Sequence, residues 1–322
     1  MVKRARFRIV RALGVLALVL VVLGGAVYQF RPDWLIDAEY ARWVWRAGVE
    51  RHDIQVADHR IAYYEGGAGT PVLLIHGFTG SKENWLPTAR GLTDRFRVVM
   101  PDLPGWGDSS RLAGADYAIE PQVERLAALI DRLGLERMHL VGHSMGGQIA
   151  GLYAARHPER VLTLTLADTA GVRFEQNAFA RRVLAGETPF NFSTREQFWA
   201  FMHELFDQPP WLPPRLVDVM VERNVTGHEF HRALLERLRQ EPDALHLERS
   251  LDRIRVPTLI LWCQRDRLLD FSSIDALRRG LTSAPKVEVA VFEPCSHMPM
   301  MEQPTLMAER LARFFAEPGA AR

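Results

Sequence analysis

Met138-His-Leu-Val-Gly-His-Ser-Met-Gly-Gly147 is the stretch on which the fold turns. Its first four residues form a short apolar run, the signature of a buried strand. Gly142-His143-Ser144-Met145-Gly146-Gly147 then leads into a helical pattern. A Gly-x-Ser-x-Gly sequence between a strand and a helix has a specific use. The serine occupies a strained turn, and neighbours without side chains let strand and helix approach closely. The turn lifts the hydroxyl above the sheet edge, and the helix N-terminus beneath it favours negative charge. Ser144 is therefore the candidate nucleophile.

Working outward, further short apolar runs occur at Pro71-Val-Leu-Leu-Ile75, Arg97-Val-Val-Met100, Val161-Leu-Thr-Leu-Thr-Leu166, Thr258-Leu-Ile-Leu-Trp262 and Val287-Glu-Val-Ala-Val-Phe292. Ile54–Val56 and Arg60–Tyr64 read as a hairpin turning at Asp58-His59. Helical patterns lie between the runs. In Glu120–Leu133, Val123, Leu126, Ala127, Leu129 and Ile130 share one face, and others start near Ile274 and Leu306. Buried strands alternating with helices predict an α/β protein whose mainly parallel central sheet is flanked by helices. Residues 172–250 contain no strand pattern. Ser193-x-x-Glu196 reads as a capping box there, opening a helix that carries Phe198, Phe201, Met202, Leu205 and Phe206. The expected organisation is an N-terminal anchor (1–30), a first core segment (31–171), a helical cap (172–250) inserted before the last two strands, and a second core segment (251–322).

A serine hydroxyl needs a base, and the base needs an orienting acid. In a strand–turn–helix setting the expected order is serine, acid, histidine. His297 follows the last strand run, in Glu293-Pro-Cys-Ser-His-Met-Pro-Met300, and is the candidate base. Asp266, directly after the preceding run, is the candidate acid, with Asp168 and Asp270 as competitors. His76-Gly77-Phe78 ends an earlier strand, so the backbone N–H groups of Phe78 and Met145 are the candidate oxyanion donors. His228 and His231 stand at helical spacing without a third ligand and read as a solvated face. No metal and no cofactor is expected.

These blocks, together with Asp102-Leu-Pro-Gly-Trp-Gly-Asp-Ser109, resemble the α/β-hydrolase superfamily from about residue 50 onward. Within it the chain is most similar to the membrane-anchored monoacylglycerol lipases of the α/β-hydrolase-domain group and their bacterial lipase relatives. The resemblance implies an α/β-hydrolase fold, hydrolysis of a lipid ester such as a monoacylglycerol, and Ser144, Asp266 and His297 as triad. Cys263 departs from it, since relatives often carry a glycine there. The alternatives are a serine C–C hydrolase of ring-fission products and a non-catalytic hydrolase-fold ligand-binding protein.

Composition sets the surroundings. The chain has 322 residues with 40 basic and 39 acidic side chains, a balance that gives no nucleic-acid footprint. Lys3, Arg4, Arg6, Arg8 and Arg11 precede any acid, and Ala12–Phe30 carries no charge. That span reads as an uncleaved single-pass anchor, with a cleaved signal peptide ending near Gly24-Gly25-Ala26 as the alternative. The cations favour an N-terminus in the cytoplasm and a catalytic domain on the exocytoplasmic, periplasmic side. Trp34, Trp43 and Trp45 read as a segment at the membrane interface, with core packing as the alternative. Between Phe174 and Trp211 nine of 38 residues are aromatic against a chain average of 9%, which suggests an apolar pocket wall or a membrane-facing lid, with a cap that needs its own small core as the alternative; Phe198 and Phe201 are candidate substrate contacts. A lipid ester is the expected substrate, and the oligomeric state is left open. Cys263 and Cys295 both lie near strand ends close to the candidate triad. An oxidising compartment could pair them, but their spacing does not fix a Cα distance, so a disulfide is not the expected state.

Overall fold

The computed structural model describes residues 2–240 and 243–316. Among these, eight strands form one sheet in the order β1-β2-β4-β3-β5-β6-β7-β8. They are β1 (Val49–Val56), β2 (His59–Gly66), β3 (Pro71–Ile75), β4 (Arg97–Pro101), β5 (Met138–His143), β6 (Val161–Ala167), β7 (Thr258–Cys263) and β8 (Val287–Phe292). β1 pairs antiparallel with β2, and β2 antiparallel with β4; every other pairing is parallel. The hairpin turns at Ala57-Asp58, one residue earlier than expected, with Ala57 at φ 49°.

The apolar runs become central strands because they are covered on both faces. All of β5 and all of β7 are buried. β8, at the sheet's edge, instead alternates, with Val289 and Val291 exposed. From the N-terminus the helices are α1 (Val2–Phe30), α2 (Pro32–Ala47), α3 (Leu86–Ala89), α4 (Ile119–Arg132) and α5 (Met145–Arg156). α4 buries Val123, Leu126, Leu129 and Ile130 as its periodicity predicts, each worth about 1.5–3 kcal/mol. Between β6 and β7 lie α6 (Ala178–Leu184), α7 (Arg195–Leu205), α8 (Pro214–Val225) and α9 (His228–Leu238), and no described residue of this insert is in a strand. α10 (Ser273–Gly280), α11 (Pro299–Glu302) and α12 (Pro304–Phe315) complete the fold.

α7 starts one residue later than the expected capping box. Thr194, not Ser193, is the N-cap and accepts from the Gln197 N–H at 3.2 Å, while the Gln197 side chain accepts from Ser193 N–H at 2.7 Å. Within α1, Leu13–Phe30 has a mean hydropathy of 2.2 over 18 residues and is not buried, so it is long and apolar enough to cross a membrane. Of the three tryptophans expected at an interface, Trp34 and Trp45 are exposed, but Trp43 packs against the core beside α3 and α12.

Candidate active site

Parallel strands deliver their carboxyl ends to one edge of the sheet, and the neighbours β3 and β5 lead to opposite sides of it. A crevice at such a switch point is where α/β sheets hold ligands. His76-Gly77-Phe78 leaves β3, Ser144 leaves β5, Asp168 leaves β6, Asp266 follows β7 and His297 follows β8. The topology therefore gathers at one edge residues spread over more than 200 positions.

Ser144 has φ 53° and ψ −122°, a conformation an L-residue keeps only when its surroundings enforce it. The surroundings are the glycines. A Cβ on Gly142 would enter the Gly146 backbone, and one on Gly146 would run into the carbonyl oxygens of Ile75 and His76. A Cβ on Gly77 would lie 2.8 Å from that of Ser144. Met145 is the first residue of α5, and among the described residues neither its N–H nor that of Phe78 meets a hydrogen-bond acceptor.

His297 is buried, and its Nδ1 lies 2.8 Å from Asp266 Oδ2. The other Asp266 oxygen accepts from the N–H groups of Leu268 at 2.8 Å and Leu269 at 3.0 Å. The carboxylate is thus aimed by its own loop. Asp168 lies behind it, wholly buried, with Oδ1 accepting from Cys263 N–H at 2.8 Å. Burial and the neighbouring Asp266 charge push the Asp168 pKa well above the usual carboxylate range. Asp270 instead accepts from Ser272 N–H, away from the imidazole.

Two cavities meet at Ser144 and His297. One, of about 420 Å³, is walled by Phe78 and Met145 on the sheet side and by Val172, Phe174, Phe179, Val183 and Leu235 above. The other, about 160 Å³, lies between Phe78, Asn84, Phe201 and Asn224. Phe201 therefore edges the smaller cavity. Phe198 lines neither and is buried in the insert's own core with Phe192 and Phe201, which corrects its expected role as a substrate contact. The helical period is the same for a core face and a pocket face.

Several residues that the sequence reading passed over hold this arrangement. His143, inside the serine motif, donates from Nε2 to the His297 carbonyl at 2.7 Å. His76 Nε2 accepts from Leu103 N–H at 2.9 Å, and burial lowers its pKa to about 4, so it serves as a neutral ring. Lys82 is fully buried with its ammonium 2.8 Å from both Glu83 and Asp102 and 2.9 Å from Asp108, tying together the loops after β3 and β4. Lys82 had a legible signal, as one of only three lysines placed just beyond His76-Gly77-Phe78. His228 and His231 are not a solvated face. His231 is buried and stacked on Trp106, and both rings hydrogen-bond to asparagines.

Cys263 and Cys295 form a disulfide with a Cα–Cα distance of 4.9 Å, contrary to the sequence expectation. It joins the end of β7 to the loop that carries His297. Glu302 reinforces that loop by accepting from Ser296 N–H at 2.8 Å and from Asp207 N–H at 2.7 Å. Burial raises the pKa of this carboxyl.

Residues 70–304 match the profile of the α/β hydrolase fold family. The chain belongs to that family. The hydrolase is 31% identical over 312 residues to the monoacylglycerol lipase ABHD6 of Homo sapiens, covering 90% of this chain and 89% of that one. It is 32% identical over 250 residues to Lipase 1 of Psychrobacter immobilis, covering 76% of each. Among solved structures, the hydrolase superposes on a membrane phospholipase A described as a bacterial virulence factor. The TM-score is 0.84 at 41% identity, with 94% of this chain and 97% of that chain covered.

Proposed function

We propose that this hydrolase cleaves carboxylic esters of lipids through an acyl-enzyme on Ser144, with monoacylglycerols as its substrate class. The observation that carries the reading is the meeting of Ser144 and the Asp266-oriented His297 in a cavity of about 420 Å³ whose wall is mostly apolar. Such a cavity suits one acyl chain, each buried methylene contributing about 0.8 kcal/mol. The named lipases among its relatives support the same class.

Ser144 Oγ attacks the ester carbonyl and passes its proton to His297 Nε2. Asp266, bonded to Nδ1, keeps Nε2 free as acceptor and stabilises the imidazolium. The N–H groups of Phe78 and Met145 receive the oxyanion, a type of contact worth about 2.7–4 kcal/mol per donor. His297 returns the proton to the departing alcohol, and a water activated by the same ring releases the acid. The smaller cavity, with Asn84 and Asn224 beside Phe78, suits the polar alcohol portion.

The same reading has α1 as a membrane anchor and the catalytic domain on the exocytoplasmic side. The five cations before the span support it, as does the Cys263–Cys295 disulfide, because disulfides persist in oxidising compartments. Protease digestion from that side of intact cells should cut the domain, and protection there would reverse the orientation.

Ser144→Ala should lower ester hydrolysis by several powers of ten, with unchanged circular dichroism and no fluorophosphonate labelling. Retention of a tenth of the wild-type kcat would rule out Ser144 as nucleophile. In a kcat/KM series over acyl lengths from two to eighteen carbons, medium chains should exceed acetate and monoolein should exceed triolein. A maximum at two carbons, or faster turnover of triolein, would exclude the monoacylglycerol reading.

A further inference from the structure

The junction between α1 and the insert carries an aromatic surface that the catalytic reading does not use. Leu13–Phe30 spans about 27 Å at 1.5 Å per residue, close to a hydrocarbon core of about 30 Å. Tyr28 and Phe30 therefore stand at one edge of that core. The helix breaks at Arg31, whose φ is −140°, and its guanidinium lies 4.4 Å from the ring centre of Trp34.

The insert is fastened at this same level. The Tyr28 hydroxyl accepts from the backbone N–H of Arg215 at 3.5 Å, at the start of α8. Farther along, Arg223 of α8 pairs with Asp37 of α2 at 3.5 Å. Directly before Arg215 runs Pro209-Pro-Trp-Leu-Pro-Pro214. Trp211 lies four positions before Arg215, a reach of about 14 Å at most. Trp211 therefore stays within about 14 Å of Arg215, the residue fastened to the end of the span. It is 78% exposed, as Phe30 is at 77% and Trp34 at 51%. Three large aromatics left bare at the end of a span are the composition of an interfacial belt. The four prolines lack N–H groups and fix φ, so the loop is stiff and brings few backbone donors that would need partners at the membrane surface.

We propose that the loop 209–214 is a second membrane contact. Trp211, together with Phe30 and Trp34, sits among the headgroups of the leaflet from which α1 emerges and holds the insert down on the bilayer. The occupant of this surface is a phospholipid bilayer, because the loop runs into a helix start fastened to a segment whose own exposed side chains require lipid. The proposal rests on the reading of α1 as a membrane span.

The test uses the full chain in phosphatidylcholine vesicles. Trp211→Cys carries an environment-sensitive fluorophore, and a second preparation carries it at Val21→Cys within the span. Cys263 and Cys295 are bonded to each other and buried, so they do not take the label. The expected result is blue-shifted emission at 211, quenched by lipid-borne spin labels and shielded from aqueous iodide. Lipid quenching at 21 with iodide quenching at 211 would overturn the loop contact and leave the span intact. Iodide quenching at both positions would overturn the span and the loop contact together. In parallel, Trp211→Ala should lower hydrolysis of monoacylglycerol in the bilayer several-fold and leave that of a soluble p-nitrophenyl ester unchanged, with partial rescue by Trp211→Phe. Equal loss on both substrates would mean that Trp211 supports the insert's structure and would overturn the proposal.

Discussion

Asp168 and Asp266 show how environment separates two carboxyls of the same type. Asp266 has two backbone N–H donors on one oxygen and the imidazole on the other. Asp168 is sealed behind it, with its pKa pushed up by burial and by the Asp266 charge. Asp266→Asn should therefore cost several powers of ten in kcat, through loss of imidazole orientation, whereas Asp168→Asn should cost far less. Steady-state kinetics on the two variants decides this, and the reverse ranking would move the acid to β6. The clustering of Ser144, Asp266 and His297 was legible because each follows its own apolar strand, and parallel strands must deliver their ends to one edge. Phe198 was not legible. Its spacing marks a buried helix face, and only the packing against Phe192 tells that face from a pocket wall. The disulfide was hidden too, since 32 residues separate its cysteines and a helix and a strand intervene.

The insert and the loops beneath it divide into parts that pack and parts that shape the cavity. Phe198→Ala should destabilise the protein by about 3–5 kcal/mol, measured by urea unfolding, and leave acyl-length preference unchanged. Val183→Phe adds bulk to the wall of the larger cavity and should shift the kcat/KM maximum to shorter acyl chains with little change in stability. Flattened preference in the first variant, or an unmoved maximum in the second, would reverse these assignments. The strands were readable from their apolar runs, and α4 from its period. The start of α7 was misplaced by one residue because Ser193 and Thr194 are adjacent and both suited to capping. The disulfide should contribute about 3–4 kcal/mol by the entropy of closing its 32-residue loop. Replacing both cysteines by alanine and comparing urea midpoints tests that figure, and an unchanged midpoint would contradict it.

Across the protein, His76, His139, His143 and His231 are all buried with pKa values lowered by that burial. Each ring is neutral in the fold and takes up its proton near pH 6.5 only in the unfolded chain. Their contribution is therefore complete above about 6.5 and is lost as pH falls. His139, at about 4 and 2.8 Å from Thr163 Oγ1, allows a clean test. Between pH 6 and 4.5 wild-type stability should fall relative to His139→Gln by about 1.4 kcal/mol per pH unit. Parallel stability curves for the two proteins would contradict the assignment. A different dependency comes from the C-terminal end of α7. The Leu205 carbonyl accepts from His297 N–H at 2.9 Å, and the Glu204 carbonyl accepts from Ser296 Oγ at 3.0 Å. The candidate base is hung from the roof that covers it. A clamshell swing that raised this corner would pull the imidazole off station, so loading and turnover there exclude one another in time. Access that keeps the base in place therefore leaves this corner closed and opens the larger cavity elsewhere along its wall, which Phe174, Phe179 and Val183 help to form.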